Sequence, residues 1–110
     1  MQPYYNTTNL SGEELKEAVK SARKQDDAIL LIYLNTRLQY SPWQIHQLMI
    51  KAGWKHPITS SRRSITNLTK SGHLIQTSDK VVGEYGRLEY QWKINPATHP
   101  TVTAQQAELF

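Results

Sequence analysis

The sequence predicts a small α+β domain that is mainly helical, with a two-stranded hairpin after its last helix. Up to Lys70, apolar residues recur at the spacing of three and four that is typical of helices with one buried face. From His73 onward the spacing changes to two, which is the period of a strand. A length of 110 residues allows one domain with a modest core.

The first helix is predicted at residues 11–24, after a polar N-terminal arm at residues 1–10. Ser11 and Glu14 have the spacing of a capping box. The apolar stripe of this helix consists of Leu15, Ala18, Val19 and Ala22. This stripe either extends the core of the domain or forms the interface of a homodimer through residues 11–24.

The second helix is predicted at residues 28–38, with Asp26 and Asp27 as its start. Its apolar residues cover nearly the whole circumference, so we expect it to be central and buried. Periodicity alone would also allow a buried strand here. A helix is the better interpretation because no turn residue interrupts about a dozen positions.

A helix-connection-helix unit is predicted next. The third helix is predicted to begin with Ser41 as its cap, Pro42 in its first turn and Gln44 at the capping-box position. It is predicted to end at Gly53. Residues 54–57 connect it to a fourth helix at 60–71, which Thr59 or Ser60 caps. Gly72 is suited to the stop of that helix.

The two strands of the hairpin are predicted at residues 73–77 and 87–94. The polar segment 78–86 between them forms the tip, with glycines as turn residues. Together with the helices, they place one domain at residues 11–94. Prolines interrupt the segment that follows, and residues 95–110 are predicted to form a flexible tail.

The positive charge is concentrated in the second half of the domain. Residues 1–50 carry five Lys/Arg and five Asp/Glu, whereas residues 51–93 carry eight Lys/Arg and three Asp/Glu. Cations that neutralise phosphates release counterions and so drive binding to nucleic acid. This distribution favours double-stranded DNA as the partner over an ordinary solvated surface.

The predicted outward face of the fourth helix carries the types of side chain that commonly contact DNA. A helix fits the major groove, where Arg reads guanine, Asn reads adenine, and hydroxyl groups contact phosphates. The candidate residues are Thr59, Ser60, Arg62, Arg63, Thr66, Asn67 and Lys70 on the helix, with Lys80 and Arg87 on the hairpin. The competing interpretation is that Arg62 and Arg63 only solvate the surface of a protein-contact module.

Residues 26–94 resemble the winged helix-turn-helix superfamily. The resemblance lies in the run from Ser60 through Arg62, Arg63, Ile65 and Leu68 to Gly72, followed by the hairpin, and it extends to small DNA-binding proteins of phages and mobile elements. It implies a three-helix core, a recognition helix at 60–71 and a wing contact near 78–87. The resemblance does not determine the biological role of the protein, because such domains serve as repressors, replication initiators and protein-docking modules.

The last five residues resemble the motif by which peptides bind the bacterial sliding clamp. Gln106, Leu109 and Phe110 match its three anchor positions, which implies a factor of phage or bacterial DNA replication. The alternative is structural: Thr103 and Gln106 also form a capping box, so that a short helix would dock Leu109 and Phe110 on the domain. A transcriptional repressor is then the better interpretation.

Other chemistry is not indicated by the sequence. Cysteine is absent, and the four histidines (His46, His56, His73 and His99) lack ligand spacing and are expected at the surface or in turns. No phosphate loop or catalytic motif occurs, so we expect neither an enzyme nor a cofactor. The longest apolar stretch, 28–34, is too short to cross a bilayer, and no export signal is recognisable. A cytoplasmic protein of a bacterial host is therefore expected.

Overall fold

The structure is a computed structural model that describes Leu10 and residues 12–99; residues 1–9, 11 and 100–110 lie outside the described part. Its elements are α1 (Gly12–Ser21), α2 (Gln25–Thr36), α3 (Pro42–Lys51), α4 (Ile58–Lys70), β1 (Leu74–Val82) and β2 (Leu88–Ile94). The two strands form one antiparallel hairpin. The predicted α+β, mainly helical class is confirmed.

Helix α2 forms the centre of the core. Every residue from Ala28 to Thr36 is buried, which confirms a central helix. Lys24 occupies the N-cap position and makes no side-chain cap bond, so the predicted aspartate start is wrong by two positions. Asp26 and Asp27 lie instead in the first turn, where their charges suit the helix dipole. The helix ends before residue 38 because Arg37 adopts a left-handed φ of 56° and its N–H donates to the Tyr33 carbonyl.

Helix α1 packs on α2 through the predicted apolar stripe. Leu15 and Val19 are fully buried in the core of the single chain. Leu15 and Val19 therefore extend the core of the domain, and a homodimer through residues 11–24 stays a prediction. The helix ends at Ser21, three residues before the predicted end. The predicted cap residue Ser11 lies outside the described residues.

The capping box of α3 is present as predicted. Gln44 N–H donates to Ser41 Oγ at 3.2 Å, and Ser41 N–H donates to Gln44 Oε1 at 2.8 Å. Helix α4 begins at Ile58, earlier than predicted, because Pro57 takes the extended N-cap conformation. Thr59 and Ser60 therefore lie inside its first turn and do not cap it.

The hairpin is longer than predicted. β1 continues to Val82, so the turn is confined to residues 83–87 instead of 78–86. An irregularity in the pairing between Gln76 and Lys80 accommodates the polar residues in between, and Thr77 Oγ1 donates across it to the Gln91 carbonyl at 2.9 Å. Near the domain, Tyr40 pairs with Trp92 as an isolated antiparallel bridge. The base of the hairpin is thus fixed to the segment that precedes α3.

The described fold continues past the predicted boundary at residue 94. Asn95 Nδ2 and Thr98 Oγ1 both donate to the Gly72 carbonyl, at 3.0 and 2.7 Å. Arg37 Nη1 donates to the His99 carbonyl at 2.9 Å. Residues 95–99 are therefore bound to the turn after α4, and the rest of the predicted tail, 100–110, lies outside the described residues.

The capping box gives a direct test of this fold. Ser41→Ala should lower the free energy of unfolding by about 1 kcal/mol, because the half-buried Gln44 N–H loses its acceptor. The melting temperature should fall by about 4–8 °C. Ser78→Ala is the matched control, since Ser78 is exposed on β1. Equal stability of the two variants would contradict the capping role.

Candidate nucleic-acid interface

Helix α4 is attached to the domain by one face. Its buried residues are Ser61, Ser64, Ile65 and Leu68. Gln25, in the first turn of α2, adds polar contacts: its Nε2 donates to the Ser60 carbonyl and to Ser64 Oγ, both at 2.7 Å. These contacts fix the rotation of α4 about its axis, and so decide which side chains it presents to solvent.

The opposite face of α4 carries the predicted DNA-contacting residues. Six of the seven are exposed, namely Thr59, Arg62, Arg63, Thr66, Asn67 and Lys70. Ser60 is half-buried, and its carbonyl is already bound by Gln25. The helical candidates thus lie together on one surface that includes three cations, as the periodicity predicted.

Arg62 and Asn67 have acidic neighbours that the sequence did not indicate. Arg62 Nη2 lies 3.5 Å from Glu89 Oε2 on β2. Asn67 Nδ2 lies 3.4 Å from Asp26 Oδ2 on α2. Both acidic residues come from other elements and reach α4 only through tertiary contacts. Local sequence carries no signal for these two contacts.

Arg63 and Lys70 differ from Arg62 in this respect. Both are exposed, and neither side chain forms an ion pair or hydrogen bond with Leu10 or residues 12–99. Thr66, on the same face, differs from them because its Oγ1 donates a hydrogen bond within the helix, to the Arg62 carbonyl at 3.0 Å. Among the described residues, neither Arg63 nor Lys70 has a partner that its side chain would have to leave before it binds an anion.

The hairpin presents two cations and an apolar outer half. Lys80 lies within β1 and not in the turn, and its Nζ lies 4.7 Å from the centroid of the Tyr90 ring. Arg87 is exposed beside the turn. The exposed apolar side chains of the hairpin are Val82, Tyr85, Leu88 and Tyr90. Tyr85 is 90% exposed and has a positive φ of 63°, so the turn holds its ring in solvent.

Two histidines and a serine join α3 to α4. His46 Nδ1 and His56 Nε2 lie 3.1 and 2.8 Å from Ser61 Oγ. His46 is buried, so its expected surface position is wrong: the Ser61 hydroxyl supplies the partner that a buried imidazole needs. Burial lowers the pKa of both rings below the usual value for histidine. Within the described residues, no group of three potential ligands could hold a metal ion.

Comparison with protein-family models, curated proteins and solved structures finds no match to this chain. Between Gly12 and His99, no helix is long and apolar enough to cross a membrane.

The cluster of His46, His56 and Ser61 should make the stability of the protein depend on pH. Because burial lowers the pKa of His46 and His56, the unfolded chain binds more protons than the folded protein below about pH 6.5. This contribution to stability should be fully present at about pH 7.5 and should be lost progressively as the pH falls through about 6.5 to 5.5. Denaturant unfolding at several pH values measures this decrease.

A double variant distinguishes the contribution of His46 and His56 to this pH dependence from that of the other histidines. His46→Asn with His56→Gln keeps a polar atom near Ser61 Oγ and removes both titrating rings, so its unfolding free energy should vary less with pH. His99, whose pKa is also lowered by burial, should account for part of the remaining slope. An unchanged slope in the double variant would contradict the contribution of the cluster.

Proposed function

We propose that this protein binds double-stranded DNA in a sequence-specific way, with α4 as the recognition helix and the hairpin as a wing. The observation that carries the proposal is the division of α4 into two faces. One face is buried and fixed by Gln25, and the other presents cations, hydroxyl groups and an amide together. A helix with such a face fits the major groove and can contact both base edges and phosphates.

The position of the hairpin supports a winged helix-turn-helix arrangement. Its base is held by the bridge between Tyr40 and Trp92, and β2 reaches α4 through the contact between Glu89 and Arg62. The hairpin therefore lies beside the face of α4 that is proposed to contact DNA. Lys80 and Arg87 then extend the cationic surface toward the neighbouring minor groove or its phosphates.

The proposed contacts divide according to side-chain chemistry. Thr59, Ser60 and Thr66 contribute hydroxyl groups for phosphate oxygens, and Lys70 contributes a cation. Asn67 has the amide that reads adenine, and to do so it must leave Asp26, whose contact at 3.4 Å is long. Arg62 and Arg63 supply the guanidinium groups, which can bind guanine or phosphate.

For the biological role, we propose a factor of phage or bacterial DNA replication or regulation that recruits the sliding clamp. This part rests on the resemblance of residues 106–110 to a clamp-binding peptide. Gln106, Leu109 and Phe110 would make the contact, and all three lie outside the described residues. A transcriptional repressor, whose tail has a structural role, is the competing proposal.

A specific observation favours another function as the second candidate. Val82, Tyr85, Leu88 and Tyr90 expose apolar surface on one hairpin, and exposed apolar patches commonly mark sites of protein contact. A protein-interaction module without affinity for DNA would use this surface, and it would not require the cations of α4. Salt dependence separates the two candidates, since only the DNA proposal depends on counterion release.

Arg62→Ala combined with Arg63→Ala should remove most of the affinity for duplex DNA. Each bidentate base contact contributes roughly 1–3 kcal/mol of discrimination, and each phosphate contact contributes to the salt dependence. The measurement is fluorescence anisotropy with a labelled duplex between about 50 and 200 mM salt, over which the affinity of the unaltered protein should fall steeply.

Lys16→Ala with Lys20→Ala is the matched control, because it removes the same charge from α1. This control should retain most of the affinity. Equal losses in the two double variants would show that only the net charge matters. No salt-dependent binding of the unaltered protein to any duplex would refute the DNA proposal and favour the interaction module.

Deletion of residues 106–110 tests the proposed contact with the clamp. The full chain should bind a purified bacterial sliding clamp in calorimetry, and the deletion should abolish binding without changing the melting temperature of the domain. A lower melting temperature, with no clamp binding by the full chain, would support the structural tail instead.

A further inference from the structure

We infer that Glu89 makes Arg62 a reader of base edges and leaves Arg63 to contact the phosphates. The inference rests on the proposed function and deepens it, because the two adjacent arginines then have different ligands. It concerns a carboxylate that the hairpin places against α4.

The carboxylate of Glu89 is held by the protein independently of Arg62. Its Oε1 accepts a hydrogen bond from the Trp43 N–H at 2.9 Å. Trp43 lies in the first turn of α3, where free N–H groups and the helix dipole favour an anion. A Cβ atom at Gly83 would lie 2.5 Å from the carboxyl carbon of Glu89, so the lack of a side chain at Gly83 provides the space that the carboxylate fills.

Arg62 is the more exposed partner in this pair. Its side chain is 45% exposed, whereas that of Glu89 is 17% exposed, and the two approach to 3.5 Å. Such a partly exposed ion pair contributes little to stability. Its effect is electrostatic and local: one negative charge remains beside the guanidinium, while most of the five N–H donors of Arg62 stay free.

A fixed carboxylate changes which ligand the guanidinium of Arg62 can accept. A phosphate bound to Arg62 would lie close to the carboxylate of Glu89, and the two anions would repel each other. The O6 and N7 atoms of guanine carry no net charge and meet a much weaker repulsion, and they match the arginine fork in bidentate geometry. Glu89 thus disfavours phosphate at Arg62 and still permits guanine.

Arg63 has no such restriction. It is exposed one position further along α4, about 100° around the helix, and it makes no ion pair with the described residues. No carboxylate of the described residues lies within ion-pair distance of its guanidinium, so none opposes a phosphate there as Glu89 does at Arg62. One arginine then contributes to sequence preference, and its neighbour contributes to general affinity.

The test compares two duplexes at several salt concentrations. One is selected from a random library by the unaltered protein, and the other is a scrambled version of it. On the scrambled duplex, Arg63→Ala should reduce the slope of log affinity against log salt by about 0.9, which is the value for one phosphate contact. Arg62→Ala should leave that slope nearly unchanged and should instead reduce the preference for the selected duplex by about tenfold.

Glu89→Gln is the decisive variant, because it removes the charge and keeps an oxygen for the Trp43 N–H. Arg62 can then contact phosphate, so the scrambled duplex should bind several-fold more tightly, with a slope steeper by about 0.9. The preference for the selected duplex should fall. Glu84→Gln is the matched control, since it removes the same charge from the same hairpin, and no contact to Arg62 is seen for Glu84 in the described residues.

The outcomes distinguish this inference from the proposal on which it rests. Equal effects of Glu89→Gln and Glu84→Gln, or a loss of slope in Arg62→Ala as large as that in Arg63→Ala, would overturn the assignment while DNA binding stands. Failure of the unaltered protein to bind any duplex would overturn both. A steeper slope in Glu89→Gln that disappears when Arg62→Ala is added would establish that Glu89 acts through Arg62.

Discussion

The buried helix α2 organises the packing of the domain. All its residues from Ala28 to Thr36 are withdrawn from solvent, so the neighbouring elements have to pack around it. Its polar groups are satisfied internally: Asn35 Nδ2 and Thr36 Oγ1 donate to carbonyls one turn earlier, at 2.8 Å each. Tyr33 donates its hydroxyl hydrogen to the Tyr40 carbonyl at 3.0 Å, and this contact orients the segment that leads into α3.

The candidate interface follows from this central helix through short chains of contacts. The first turn of α2 holds the buried face of α4 through Gln25, and the segment after α2 pairs with β2 through Tyr40. Contacts with α2 and with the segment that follows it therefore determine both the rotation of α4 and the position of the hairpin. The exposed faces of α4 and the hairpin adjoin at Arg62 and Glu89 because both elements are fixed from the opposite side.

Much of the fold could be predicted from the sequence because its signals are local. The box formed by Ser41 and Gln44 depends on residues three apart, and the exposed face of α4 follows from the period that places Ile65 and Leu68 inside. Element ends were less accurate. β1 continues past its predicted end because an irregular pairing accommodates the polar residues after Gln76, which composition alone assigns to a turn.

What could not be predicted depends on contacts between residues far apart in the sequence. The contacts of Glu89 with Trp43 and Arg62 arise from the position of the hairpin, which no local sequence pattern indicates. His46 is buried because Ser61 from another helix supplies its hydrogen-bond partner. The turn after α4 similarly fixes residues 95–99 by offering the free carbonyl of Gly72.

The most direct measurement for the central claim is a titration of the isotopically labelled protein with duplex DNA, followed by amide chemical shifts. We expect the largest shifts in residues 59–70 and in residues 80–90 of the hairpin, and no shifts on the exposed face of α1. Shifts confined to another surface, or no shifts at low salt, would contradict the assignment of α4 as the DNA-contacting helix.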